Sequence, residues 1–80
     1  MVEIRYFAAI ADAVGKDSET LEFPAGATVA DLRATLAAAY GPSLDKMLSV
    51  CAYLIGDELT RDPTTALSSR VDVLPPFAGG

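Results

Sequence analysis

Thr28-Val29-Ala30-Asp31-Leu32-Arg33-Ala34-Thr35-Leu36-Ala37-Ala38-Ala39-Tyr40, followed by Gly41-Pro42, is the stretch on which the fold turns. Val29, Leu32, Leu36 and Tyr40 recur at helical spacing and Ala37 widens the stripe, the pattern of a helix with one buried face. Thr28 and Asp31 have capping-box spacing, with Asp in place of the usual Glu or Gln. The acid falls in the first turn, where the helix dipole favours an anion. Gly41-Pro42 closes the segment. A helix with one apolar stripe needs an apolar sheet to cover it, and strand patterns lie on both sides.

On the N-terminal side, Val2, Ile4 and Tyr6 share one face and Glu3, Arg5 and Phe7 the other, which reads as a half-buried strand. Ala8 to Val14 is Ala-rich and predicts a short helix ended by Gly15. Glu19 to Phe23 predicts a second strand, with Leu21 and Phe23 inward, stopped by Pro24-Ala25-Gly26. On the C-terminal side, Leu44, Met47 and Leu48 predict one or two further helical turns. Val50 to Ile55 is apolar on both faces, as in a strand covered on both sides or one whose second face meets a partner. Gly56-Asp57 is a turn signal and Glu58 to Thr60 a short edge strand. Asp62-Pro63 opens another turn, and Ala66-Leu67 is expected to tuck under the sheet as a helical turn. Arg70 to Leu74 is the last strand, with Val71 and Val73 inward, and Pro75-Pro76 ends all pairing because proline has no N–H to donate. The order is α+β and predicts a ubiquitin-like β-grasp: a mixed sheet with one main helix packed across it. Residues 1–80 are expected to form a single domain, with 75–80 as a flexible C-terminal tail.

Composition removes much chemistry. Histidine is absent and Cys51 is the lone cysteine. The side chain most used for acid–base work near neutral pH is therefore missing, no internal disulfide forms, and no metal site is expected. The formal net charge of −5 argues against a nucleic-acid partner and against an anionic membrane surface, and leaves solubility or a basic protein partner as its meaning. Val2-Glu3-Ile4-Arg5 is a strand pattern and not a leader, so the expected location is the cytoplasm. Cys51, in an apolar run, reads as a small hydrophobe; Lys16 and Lys46 read as solvated surface.

What remains is Pro75-Pro76-Phe77-Ala78-Gly79-Gly80. Two prolines hold the start of such a segment extended, and six extended residues reach roughly 20 Å. Gly79-Gly80 has no side chains and enters a channel that excludes any other dipeptide. The expected reactive group is the Gly80 main-chain carboxylate. Phe7 and Phe77 are aromatics expected near the tail's exit, with Pro75, Pro76 and Ala78 as partner-binding neighbours.

Ile4-Arg5-Tyr6-Phe7-Ala8, then Gly15-Lys16, then Pro24 to Leu32, and above all Val71-Asp72-Val73-Leu74-Pro75-Pro76-Phe77-Ala78-Gly79-Gly80 resemble the MoaD/ThiS family of sulfur carriers over nearly the whole chain, and its molybdopterin branch most. The resemblance implies a protein that is not catalytic alone. A ubiquitin-activating-type adenylyltransferase, using ATP, would convert the Gly80 carboxylate to an acyl-adenylate. A sulfur donor protein would displace AMP to leave a thiocarboxylate. The large subunit of molybdopterin synthase would then receive the tail and pass sulfur to a cyclic pterin precursor. No tightly bound cofactor is implied. Sulfur transfer for thiamin or another thiolation pathway, and a ubiquitin-like protein modifier, are the alternative roles.

Overall fold

The computed structural model describes residues 1–76. Alternation along the first strand becomes β1 (Val2–Tyr6), whose Val2, Ile4 and Tyr6 are buried. Helix α1 (Ala8–Val14) follows and buries Ile10 and Val14. Gly15 ends it at φ 86°, and its N–H bonds the Ala11 carbonyl at 2.8 Å; a left-handed residue here favours glycine. Strand β2 covers Ser18–Leu21, beginning and ending earlier than the predicted Glu19–Phe23. Phe23 still packs against the core, but from the turn beyond the strand.

Helix α2 (Val29–Tyr40) starts at Thr28 as the spacing predicts, with the Thr28 N–H donating to Asp31 Oδ2 at 2.8 Å. Val29, Leu32 and Leu36 are buried against the sheet. Gly41, at φ 95°, turns the chain directly into α3 (Pro42–Leu48), with Pro42 in its first turn, where a missing N–H costs nothing. The expected turn or two is thus a two-turn helix burying Leu44 and Leu48, tied to α2 by Arg33 Nη2–Asp45 Oδ1 at 3.1 Å.

Strand β3 covers Ala52–Ile55, β4 Glu58–Thr60 and β5 Arg70–Leu74. The sheet order is β2-β1-β5-β3-β4, with β1 and β5 parallel at its centre and the other pairings antiparallel. The helices bury one face: Ile4, Leu32, Val71 and Val73 are fully buried together. Two expectations are corrected. Val50 and Cys51 precede β3, because the end of α3 turns through them: the Val50 and Cys51 N–H groups bond the Met47 and Leu48 carbonyls, so Val50 is 51% exposed. Ala66-Leu67 is not helical. Ala66 makes an isolated bridge to Thr28, and the Leu67 N–H donates to the Ala27 carbonyl at 2.8 Å. The entry to α2 offers unpaired backbone groups, and satisfying them wins over local propensity.

Candidate functional site: the exit of the C-terminal segment

Strand β5 leads directly to the segment singled out in the sequence. Its last paired residue is Leu74, opposite Ala52. Pro75 is half-buried and Pro76 exposed. Shallow hollows flank this pair. One, of about 250 Å³, is lined by Ala52, Leu59, Arg61 and Leu74; the other, of about 270 Å³, by Ala9, Met47, Val50 and Cys51. Both prolines line both hollows. The chain thus leaves the body between the open face of the sheet and the ends of α1 and α3. Phe77, Ala78, Gly79 and Gly80 lie outside the described residues.

Phe7 stands one residue beyond Tyr6, which pairs with Val73, so it is level with Leu74. It is half-buried, and the Arg5 guanidinium lies over its ring at 5.6 Å from the centroid. It does not border either proline-lined hollow. It lines another depression with Arg5, Ala8, Asp17 and Ser18 on the β2 side. The next residue, Ala8, has φ 52°, a left-handed conformation that costs a residue with a Cβ about 1 kcal/mol.

Cys51, 3% exposed, sits just before β3, and its Sγ donates to the Met47 carbonyl at 3.2 Å. Burial pushes the thiol up, against opposing effects of Arg33 and Arg61. Reactive cysteines need the reverse shift. Cys51→Ala is therefore expected to keep any chemistry at the C-terminus unchanged, at a stability cost of about 1 kcal/mol; loading measured on the folded variant checks this.

A polar cluster unnoticed in the sequence braces the opposite edge. Glu19 on β2 accepts the phenol O–H of Tyr6 and, at 2.8 Å, that of Tyr40, with Lys16 Nζ 3.4 Å away. Burial raises the Glu19 carboxyl, but the two phenol bonds and Lys16 outweigh it, and the group titrates below its ordinary 4.5. Burial and the Glu19 bond raise Tyr6. A depressed carboxylate stabilises the fold above its unfolded value, and that stability is lost as pH falls through the lower folded value. Glu19→Gln is expected to lower stability by about 1–3 kcal/mol at pH 7 and by little at the acid end. Urea midpoints of both proteins across pH 2–7 check the difference.

Among the described residues no group of three His, Cys, Asp or Glu side chains has metal-holding geometry, and no helix is long and apolar enough to cross a membrane. A model of the ThiS family matches residues 4–80, the C-terminal glycines included.

The chain belongs to the ThiS family, the sulfur-carrier group that includes MoaD.

Within the ThiS family it is similar to the molybdopterin synthase sulfur carrier subunit of Chlamydomonas reinhardtii, 32% identical over 99% of this chain and 98% of that protein. Its fold is that of small archaeal modifier protein 1 from Haloferax volcanii, with TM-score 0.77, 21% identity and coverage of 95% and 97% of the two chains. It is also similar to a chain in the complex of subunits 1 and 2 of the molybdopterin-converting factor from Helicobacter pylori, with TM-score 0.65, 28% identity and coverage of 99% and 97%. The ubiquitin-like β-grasp predicted from element order is the fold these ThiS-family and modifier chains share.

Proposed function

We propose that the chain is the sulfur-carrier small subunit of a molybdopterin synthase, with the Gly80 carboxylate as its reactive group and Gly79 as the residue that lets it enter a narrow channel. The observation that carries this reading is the ThiS-family match running through residue 80, joined to the full-length similarity with a molybdopterin synthase sulfur carrier subunit. In the proposed sequence the carboxylate oxygen attacks the α-phosphorus of ATP on a ubiquitin-activating-type adenylyltransferase and pyrophosphate leaves. The resulting acyl-adenylate has a good leaving group where the carboxylate had none. Sulfur delivered at the sulfide level by a donor protein attacks the acyl carbon, the carbon–oxygen bond to AMP breaks with AMP as the leaving group, and the resulting thiocarboxylate is carried to the large subunit. The nucleophiles and bases belong to the partners, which accords with a chain that has no histidine. No tightly bound cofactor takes part, ATP being used by the activating partner, and the setting is the cytoplasm.

Similarity to the complex from Helicobacter pylori supports a large-subunit partner. Pro75, Pro76, Phe77 and Ala78 are proposed to contact the partners together with Phe7, as parts of a single domain of residues 1–80. The test is intact mass after incubation with ATP, the adenylyltransferase and a sulfur source. The expected product has one oxygen exchanged for sulfur at the C-terminus and converts the pterin precursor when mixed with the large subunit. An unchanged mass overturns sulfur carriage altogether. A loaded protein that leaves the precursor untouched assigns it to another thiolation pathway.

A further inference from the structure

The sheet face turned away from the helices has a charge pattern opposite to that of the molecule. One row across the strands runs Ser18, Arg5, Asp72, Leu54 and Leu59, and the next places Leu74 beside Ala52. Asp72 is 7% exposed, and its Oδ1 is buried without a hydrogen bond. Arg5 Nε at 4.0 Å and Arg70 Nε at 3.9 Å approach that oxygen. Both distances are ion-pair contacts beyond hydrogen-bond reach. The arginine side chains are 41% and 56% exposed against 10% for the carboxylate. Arg61 adds a third guanidinium beside Leu59 and Leu74. A visitor to this face therefore meets arginines around apolar residues, with the Asp72 carboxylate beneath them. Glu3, beside Arg70 in the adjoining row, is a further acid on this face, and Asp17 lines the depression beside Arg5 and Phe7. The whole chain carries −5, so the rest of the surface is strongly acidic.

We propose that this face docks a protein surface that is apolar and carries carboxylates, with Arg5 as the specificity-determining contact and Asp72 as the residue that positions it. An acidic molecule is repelled by an acidic partner in most orientations, and one locally cationic face selects the productive one. Arginine suits the contact because its planar fork takes a carboxylate through paired hydrogen bonds while the guanidinium lies over the Phe7 ring, 5.6 Å from its centroid. Leu59, 63% exposed, and Leu54 supply the apolar part of the contact. This inference rests on the sulfur-carrier reading, because the partner probed is the large subunit of molybdopterin synthase.

The experiment is calorimetric titration of that large subunit with the wild type, Arg5→Gln, Arg5→Glu and Asp72→Asn, each at low and high salt, with melting temperatures recorded alongside. Arg5→Gln is expected to weaken binding about tenfold and Arg5→Glu on the order of a hundredfold. The wild type loses more affinity with salt than Arg5→Gln does. Asp72→Asn, which leaves the cations in place, weakens binding about threefold and keeps the wild-type salt dependence. Arg5→Glu binding more tightly than the wild type means a basic partner and overturns the inference. A folded Asp72→Asn that loses as much as Arg5→Glu assigns the contact to the carboxylate and overturns it equally. Should the wild type itself fail to bind, the molybdopterin synthase reading falls and takes this inference with it. A wild type that binds while both Arg5 variants match it leaves the carrier reading standing and removes the inference alone.

Discussion

Deleting Gly80, or extending the chain beyond it with a tag, is expected to abolish sulfur loading and pterin conversion while leaving the fold intact. The proposed reacting group is the main-chain carboxylate, so no neighbouring side chain substitutes for it. Deletion moves the carboxylate back by one residue, about 3.5 Å of extended chain, whereas proximity catalysis is lost over distances near 1 Å. The fold is indifferent because, among the described residues, the buried core ends at Val73. Intact mass after ATP-dependent loading and the urea midpoint of the same sample test the two halves separately. Full loading and full conversion by a protein ending at Gly79 would falsify the terminal-carboxylate mechanism.

Gly79→Val is expected to cut sulfur transfer at least tenfold while weakening large-subunit binding by less. The valine adds a β-branched side chain where the tail is proposed to thread a channel, and it disfavours the backbone angles that glycine accepts. Binding draws on the body of the domain as well as the tail. The reacting carbonyl, in contrast, must reach its position within a fraction of an ångström. A one-turnover assay with loaded carrier, set beside a titration of the unloaded one, separates the effects. Transfer within twofold of wild type shows that the channel does not discriminate at this residue.

Most of the architecture was legible in the chain because its signals are local. The period of Val29, Leu32 and Leu36, the Thr28–Asp31 cap, the alternation through Val2–Tyr6 and the prolines after Leu74 each express a short-range rule, and the structure obeys them. Readings that failed did so where a long-range contact outweighed a local preference. Ala66 looked like part of a helical turn but is drawn into a bridge with Thr28. Val50 looked like strand but is spent turning the end of α3 into β3.

The proposed reactive terminus was legible as a candidate for the same reason: the reading of Gly79-Gly80 as a deliverable carboxylate needs no tertiary context. The surface around its exit was not. Arg5, the hairpin pair Leu54 and Leu59, and Asp72 come from three separate parts of the sequence, and only strand register brings them into one row. Asp72 alternates with Val71 and Val73 like any solvent-facing residue, yet Arg5 and Arg70 cover it. Likewise Tyr6 and Tyr40 each read as apolar-stripe residues, while their hydroxyls meet on Glu19. The sequence by itself determined the elements, their order and the terminal glycines, because hydrophobic period and backbone restriction act over a few residues. Tertiary structure alone decided which charges share a face, because strands adjacent in the sheet, β1 and β5 above all, come from opposite ends of the chain.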